Sequence, residues 1–257
     1  MFDSNTGEVL SARAVRKSFG NVEALRGADF DVHAGEVVAL MGDNGAGKST
    51  LVKILSGVIS PDSGTIHLEG SPVEFSSPIE ARNAGIETVY QDLSLADTLD
   101  PVANLFLGRE IRRSGLLGRI GFVDDAAMRR EAQVTFEALN VTVRALRDEV
   151  GTMSGGQRQG VAVCRAVSWA KHVLFLDEPT AALGVRQTQN VLDLIRRVRD
   201  RGVSVVLISH SVPEVMAVAD RVEVLRLGQR VGRFLVSASS AEEIVGAITG
   251  ATDLGAE

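Results

Sequence analysis

The chain has 257 residues, of which 45% are hydrophobic and 23% are charged, and its formal net charge is −6. This length and composition are typical of one large folded domain and exclude a disordered, collagen-like or coiled-coil chain. An acidic chain has no overall basic field for a nucleic-acid backbone or an anionic bilayer, so any anion that it binds must be held locally.

Cys164 is the single cysteine, which excludes an internal disulfide and fits a reducing compartment. The first ten residues are acidic where a secretory signal is basic and then apolar, and no run of about 18 uncharged apolar residues occurs. We therefore expect a cytoplasmic protein that does not enter a membrane by itself.

Short runs rich in Val, Ile and Leu alternate with amphipathic stretches, which is the pattern of parallel strands covered by helices. Continuous apolar runs predict buried strands over residues 36–41, 86–90, 173–176 and 203–209. Polar residues interrupt three other runs, at residues 9–19, 64–69 and 221–235, which predicts an antiparallel flank. The predicted fold class is α/β, with a mainly parallel core sheet and an antiparallel β flank.

The stretch between residues 90 and 173 has no strong strand signal. Asp100 before Pro101 is a plausible N-cap for a helix over residues 101–107, and residues 124–139 have helical periodicity. We predict one domain over residues 1–257, with a helical subdomain over approximately 92–170.

The strongest chemical signal is GDNGAGKST, residues 42–50, between a predicted strand and a helical run over residues 51–55. It matches the phosphate-binding pattern G-x-x-x-x-G-K-[ST], in which glycines let backbone N–H groups surround phosphate oxygens at a helix N-terminus. Lys48 is expected to reach the β- and γ-phosphates, and Ser49 to ligate Mg²⁺. The predicted nucleotide-binding residues of this phosphate loop are Gly42, Asp43, Asn44, Gly45, Ala46, Gly47, Lys48, Ser49 and Thr50.

The second half of the chain indicates which nucleotide chemistry this loop serves. The hydrophobic strand in HVLFLDEP ends at Asp177 and Glu178, which places one carboxylate toward the Mg²⁺ shell and the next toward the water that attacks the γ-phosphate. An Asn-Lys-x-Asp run that would read guanine is absent. This argues against a GTPase.

Three further motifs complete the pattern: SGGQ at residues 154–157, Gln91 after the strand at 86–90, and His210 after the strand at 203–209. Together with the phosphate loop and the Asp-Glu strand, they closely resemble the ATP-binding-cassette (ABC) ATPase domain, from about residue 9 to residue 250. Five separately spaced motifs occur in the family's order. The resemblance implies a P-loop NTPase fold with ATP and Mg²⁺ as cofactors.

The resemblance also implies roles for particular side chains. Phe19 lies where the family has an aromatic ring that stacks on adenine, and any flat π-face can do so. Gln91 would contact Mg²⁺ and the attacking water, Glu178 would be the general base, and His210 would hold the γ-phosphate and the water in line. The implied metal ligands are Ser49, Gln91 and Asp177. The histidines at positions 33, 67 and 172 lie in no such context.

In this family the SGGQ turn of one subunit closes over the nucleotide of another, which implies a head-to-tail dimer. Its residues are Ser154, Gly155, Gly156 and Gln157. One set of motifs occurs, so the partner would be a second copy of the chain. Two positions depart from the pattern: Met153 replaces a common Leu, and Gly184 replaces an Asp that communicates across the dimer interface.

Residues 90–95, 104–110 and 177–185 look like those of ATPase subunits of bacterial sugar importers of the ribose, xylose and fructose type. This resemblance implies permease subunits as partners, a sugar-binding protein indirectly, no nucleic acid, and a peripheral location at the cytoplasmic face of the membrane, with the isolated chain soluble. Such an ATPase contacts the permease and not the sugar, so no particular sugar is indicated. An exporter or lipid-handling ATPase is one alternative. A non-transport ABC ATPase acting on DNA or ribosomes is another, which the acidic charge and the single cassette disfavour.

Overall fold

The computed structural model of the chain describes residues 7–143 and 146–251. Its strands are β1 Glu8–Phe19, β2 Val22–His33, β3 Val37–Met41, β4 Ser63–Leu68, β5 Ser71–Val73, β6 Ile86–Val89, β7 Val173–Asp177, β8 Ser204–Ile208, β9 Arg221–Arg226 and β10 Gln229–Leu235. Its helices are α1 Lys48–Leu55, α2 Pro78–Asn83, α3 Pro101–Phe106, α4 Leu116–Arg119, α5 Asp125–Ala138, α6 Gly155–Val167, α7 Val185–Asp200, α8 Val212–Val218 and α9 Ala241–Thr249.

The strands form two sheets. A six-stranded sheet has the order β10-β9-β3-β8-β7-β6, and all of its pairs are parallel except β9 with β10. A four-stranded antiparallel sheet has the order β2-β1-β4-β5. The α/β fold with an antiparallel flank is therefore confirmed.

Both faces of the six-stranded sheet are covered, which explains why its strands are continuous apolar runs. Alternate residues of β3 belong to two different clusters of the core: Val37 and Ala39 pack with residues of α6 and α7, and Val38 and Leu40 pack with residues of α1 and the antiparallel sheet. The sheet is thus the middle layer of three.

Polar capping residues begin several of the helices between β6 and β7. The Asp100 side chain accepts a hydrogen bond from the Ala103 N–H at 2.7 Å, as expected for the N-cap of α3. Asp124 caps α5 in the same way. Helices α3 to α6 all lie in this stretch. The division of the chain into a core and a subdomain over residues 92–170 stays a prediction.

The sequence prediction for residues 221–235 was wrong in part. They form an antiparallel hairpin, but β9 pairs in parallel with β3, so the hairpin belongs to the main sheet and not to the flank. The polar residues that suggested a solvated strand are buried: Arg221 is 3% exposed and Glu223 is 1% exposed. Arg221 donates to the Asp31 carbonyl at 2.8 Å and to the Glu36 carboxylate at 2.6 Å, and it pairs with Glu223.

Strand β2 was not predicted, although it is one of the two longest strands of the described chain. Its sequence mixes Ala, Gly and Asp with apolar residues, which are weak signals for a strand. The guanidinium groups of Arg233 and Arg221 face Asp31 near the end of this strand. Burial alone would raise the pKa of this carboxyl group, but these cations lower its pKa to about 2.

Candidate nucleotide site

The order of the parallel strands brings the sequence motifs together. Strands β3, β8, β7 and β6 are consecutive neighbours, so their carboxyl ends meet at one edge of the sheet. The phosphate loop follows β3, His210 follows β8, Asp177 and Glu178 lie at the end of β7, and Gln91 follows β6. Ligands of open α/β sheets bind at this edge.

The phosphate loop ends at the start of α1, whose first helical residue is Lys48. The Lys48 Nζ donates to the carbonyl oxygens of Gly42 at 2.7 Å and Asp43 at 3.0 Å, which draws the ammonium group across the loop. Burial lowers the pKa of Lys48, and the nearby charges of Glu178 and Asp177 act in the opposite direction. The first N–H groups of a helix have no partner within the helix and can receive an anion.

Two other segments support this loop from behind. The Gly228 N–H, in the turn between β9 and β10, donates to the Ala46 carbonyl at 3.0 Å. Gly47 has a φ of 106°, and a Cβ there would lie 2.8 Å from the Ala24 carbonyl oxygen of β2. Because only a glycine fits this close approach, the loop is built against the rest of its own chain.

Glu178 and His210 contact each other directly. The His210 Nδ1 lies 2.9 Å from Oε1 and 2.7 Å from Oε2 of Glu178. A carboxylate only accepts, so Nδ1 carries a proton, and within the described part of the chain no hydrogen bond of Nε2 is seen on this exposed side chain. The backbone of Glu178 has a φ of 51°, and its N–H donates to the Ile208 carbonyl at 3.0 Å. This tie to β8 holds the carboxylate beside His210.

Asp177 and Glu178 place two carboxylates side by side. Burial and the negative charge of Glu178 raise the pKa of Asp177, and Lys48 opposes this shift. A bound cation would relieve this repulsion, and Lys48 already supplies one positive charge nearby.

A groove of about 380 Å³ extends this site toward the helices. It is lined by the loop after Gln91, by Gly155 and Arg158 at the start of α6, and by the segment that begins at Glu178. Gln91 and Glu178 therefore line the same groove.

A comparison with known families decides the assignment. The model of the ABC transporter family matches residues 25–181. This chain belongs to the ABC transporter family. Members of this family hydrolyse ATP, and the chain is an ABC ATPase.

Two relatives agree with this assignment, and a solved structure has the same fold. The fructose import ATP-binding protein FrcA of Rhizobium meliloti is 51% identical, over 86% of each chain. The xylose/arabinose import ATP-binding protein XylG of Sulfolobus acidocaldarius is 42% identical, over 94% of each chain. A dimeric structure of the ATP-binding cassette MJ0796, in a post-hydrolysis state with ADP and Pi, is 22% identical and has a TM-score of 0.73 over 88% of this chain and 98% of that one. The last likeness shows the fold.

The SGGQ motif of this ABC ATPase, which we call the Ser154 turn (residues 154–157), caps α6. The Ser154 hydroxyl accepts from the Gln157 N–H at 3.4 Å, and the Gln157 side chain accepts from the Ser154 N–H at 3.1 Å. Ser154 and Gly155 are exposed. Among the described residues, no hydrogen bond or ion pair joins this turn to the phosphate loop of the same chain.

Two solvent-filled spaces adjoin the Ser154 turn. One of about 300 Å³ lies against Gln187 and Asn190 of α7, and a wider one of about 1140 Å³ reaches Gly184. Gly184 is the N-cap of α7, with ordinary extended angles and an N–H that donates to the Gln187 side chain at 3.1 Å. The position where the family has an Asp thus lies near the Ser154 turn.

Phe19 ends β1 and is 51% exposed, with its ring 5.8 Å from the Lys17 Nζ. The ring is therefore open to a ligand on its free face. Sequence reasoning missed two other groups that contact the site's loops, Gly228 behind the phosphate loop and Arg165 beside the loop after Gln91. The sequence signal for Arg165 is that a charged residue interrupts the apolar run of α6.

Proposed function

We propose that the chain is the ATP-hydrolysing subunit of a sugar importer, in which a membrane permease carries a monosaccharide and this ATPase supplies the energy. The observation that carries the hydrolytic part is the Glu178–His210 pair at the strand edge that holds the phosphate loop. The names of the relatives, which are import ATP-binding proteins for fructose and for xylose/arabinose, support a sugar as the transported substrate.

The phosphate loop binds the nucleotide in this proposal. Backbone N–H groups at the start of α1 receive the phosphates, and Lys48 turns from the loop carbonyls toward the β- and γ-phosphates. Phe19 stacks on the adenine through its exposed face. The supporting contacts of Gly228 and β2 keep the loop open before the ligand arrives.

The donor set fits Mg²⁺. Among the described residues, no three His, Cys, Asp or Glu side chains form a metal cluster. Ser49, Gln91 and Asp177 offer hydroxyl, carboxamide and carboxylate oxygens, and Mg²⁺ prefers oxygen ligands together with water and phosphate. When bound, the ion neutralises charge on the phosphates.

Glu178 is the general base of the proposed reaction. Its carboxylate accepts the proton of the attacking water, while the Nδ1–H of His210 fixes its orientation. The Nε2 of the exposed His210 can accept from the water in the neutral ring, and it donates to the γ-phosphate when the ring carries both protons. Gln91 positions the water from the other side of the groove.

The exposed Ser154 turn supports a head-to-tail dimer with a second copy of the chain. The further partners in this proposal are the permease subunits and, indirectly, a sugar-binding protein, with no nucleic acid. None of the helices in the described ranges is long and apolar enough to span a bilayer. In this proposal, the chain binds to the cytoplasmic face of the membrane through its permease.

Glu178→Gln tests the proposal. This change keeps the size of the side chain but removes the base, so turnover should fall about 1000-fold while ATP affinity is retained. The test uses ATPase assays and uptake of labelled fructose, xylose and ribose into vesicles that contain the co-purifying membrane protein. Glu242→Gln, on exposed surface of α9, is the matched control. Normal turnover in Glu178→Gln would show that the base lies elsewhere, and export of label would overturn the importer assignment.

A further inference from the structure

Arg165 forms two hydrogen bonds with the segment that follows Gln91, which we call the Gln91 loop (residues 91–100). Its Nη1 donates to the Ser94 carbonyl at 2.7 Å and its Nη2 to the Leu93 carbonyl at 2.9 Å. The residue is half-buried on α6, where the guanidinium is partly desolvated and burial lowers its pKa. Hydrogen bonds from a charged donor at these distances are strong.

The two carbonyls belong to an unusual piece of backbone. Leu93 has a φ of 60° and Ser94 a φ of 46°, so two consecutive residues other than glycine are in the left-handed region. Such conformations persist only where the surroundings hold them. The turn begins at the end of β6, where the Leu93 N–H donates to the Tyr90 carbonyl at 2.9 Å. Gln91 therefore lies inside a turn, and Arg165 binds the carbonyls of the two residues at its C-terminal end.

The distal half of the Gln91 loop has its own support. The side chain of Asn104, which is fully buried, accepts from the Ala96 N–H at 2.8 Å and donates to the carbonyls of Ala96, Leu99 and Asp100. The Asn104 bonds do not reach the proximal half, next to Gln91, which is held by Arg165, by a 2.9 Å hydrogen bond from the Ser94 hydroxyl to Asp92, and by packing of Leu93 against the core. A loss of Arg165 should thus loosen the part of the loop that carries the functional side chain.

The helix that carries Arg165 is also the helix that begins at the Ser154 turn. An α-helix is stiff and rises about 1.5 Å per residue, so Arg165 lies roughly 16 Å along α6 from Ser154. A shift of the Ser154 turn along the helix axis would therefore displace the guanidinium group. The same helix therefore contacts the Gln91 loop near both ends, through Arg165 and through Arg158, whose Nη1 lies 3.6 Å from the Asp97 Oδ1, and in the proposed dimer its Ser154 turn would face the second copy.

We propose that Arg165 is a positioning residue, which holds Gln91 in its working geometry and links that geometry to the position of the Ser154 turn. This inference rests on the proposed role of Gln91 in hydrolysis. Arg165 touches neither nucleotide nor metal in this scheme. Its planar group holds two donors in a rigid fork that matches two neighbouring carbonyls, whereas a lysine carries one ammonium group on a flexible stem.

Arg165→Met is the first test, measured on the full chain with Mg²⁺ and ATP at concentrations that allow two copies to associate. We expect kcat to fall about tenfold or more, to the level of Gln91→Ala, because small misplacements of positioning groups are costly. ATP affinity should stay within about twofold of the wild type, because the phosphate loop is separate. Arg165→Lys should restore part of kcat.

The matched control is Arg196→Met. Arg196 also lies on a long helix, α7, and donates to the carbonyl of Ala217 on the next helix at 2.5 Å, away from the Gln91 loop. Arg196→Met should lower the free energy of unfolding about as much as Arg165→Met does, but its kcat should be unchanged. Equal losses of kcat in Arg165→Met and Arg196→Met would overturn the inference, because both would then be general effects on the fold.

A double-mutant cycle separates the inference from the function on which it rests. If Arg165 acts through Gln91, the double variant is no slower than Gln91→Ala alone. Multiplied effects, or normal turnover in Arg165→Met beside a slow Gln91→Ala, overturn the inference and leave the proposed function intact. Normal turnover in Gln91→Ala removes the role of Gln91 and the inference with it.

Hydrogen exchange supplies a readout that does not depend on turnover. The amides of residues 91–95 should exchange faster in Arg165→Met than in the wild type, whereas those of residues 97–104 keep their protection. Where Arg165→Met does not fold, the same comparison is made with Arg165→Lys. Unchanged exchange in residues 91–95 of the folded variant would contradict the inference.

Discussion

The phosphate loop and the Ser154 turn are both small-residue turns that open a helix, yet their surroundings differ. The phosphate loop is supported from behind by Gly228 and by β2, and Lys48 spans it. The Ser154 turn is exposed and adjoins a wide solvent-filled groove, beside which Val185 is 88% exposed. In the proposed function, the first is the part of the nucleotide site that one chain builds by itself. The second is the part that would close over the nucleotide of a second copy.

Among the substitutions in these two turns, Lys48→Ala should have the largest effect. Removal of the charged donor should lower ATP affinity by about 10- to 100-fold, because a hydrogen bond to a charged group contributes roughly 1.5–3 kcal/mol. ATPase activity should fall with it, while circular dichroism stays unchanged. The measurement is nucleotide titration of the purified variant. Wild-type affinity would refute the role of Lys48.

Ser154→Arg tests the other half. The variant should bind ATP with nearly wild-type affinity but lose turnover, because the added side chain blocks the closure of two copies. Mixing it with Lys48→Ala should restore about a quarter of wild-type activity, since about half of the dimers are mixed and one site of each is intact.

The mixing experiment is read by ATPase assay with heterodimers verified by differential tags. Activity that stays at the level of the separate variants, with heterodimers present, would show that the site is not shared or that one intact site cannot act alone. A Ser154→Arg chain with normal turnover would reject the shared site.

A smaller effect sharpens the account of the phosphate loop. Gly228 has a φ of 79°, and a Cβ there would lie 2.8 Å from the Ala24 carbonyl oxygen and 3.0 Å from the Leu25 Cα. Gly228→Ala should therefore displace the turn that supports Ala46, and ATP affinity should fall about fivefold, or roughly 1 kcal/mol.

Gly70→Ala is the matched control for this change. Gly70 has nearly the same φ, 76°, but nothing lies within 4 Å of its Cβ position. Both variants should lose stability from backbone strain, whereas the rise in Tm on addition of ATP should shrink in Gly228→Ala alone. Equal ATP responses would show that the turn does not support the loop.

The smallest expected effect is that of Gly184→Asp. The angles at this position, φ −76° and ψ 162°, suit an aspartate, and the nearest atom to its Cβ would be 3.9 Å away. An Asp at this N-cap should stabilise α7 by a few tenths of a kcal/mol, or about 1 °C in Tm. Differential scanning calorimetry of the wild type and Gly184→Asp measures this rise in Tm. A lower Tm would show that the groove beside the Ser154 turn cannot accept the charge.

Local patterns in the sequence determined much of this protein. The strands β3, β6, β7 and β8 were predicted to within two residues, and the phosphate loop and the N-cap Asp100 were found, because each depends on neighbouring residues alone. The strands' order, which brings Glu178 to His210, follows from the pairing of β7 with β8.

Only the tertiary structure decided where charged residues lie. Arg221 and Glu223 read as solvent-facing residues of a flank, but they are buried against Asp31 and Glu36, and β9 joins the main sheet. Arg165 binds carbonyls 71 and 72 residues earlier in the chain. A charged side chain can be buried where a distant partner compensates the loss of hydration. That partner is set by the packing of the whole chain and leaves no pattern in the neighbouring residues.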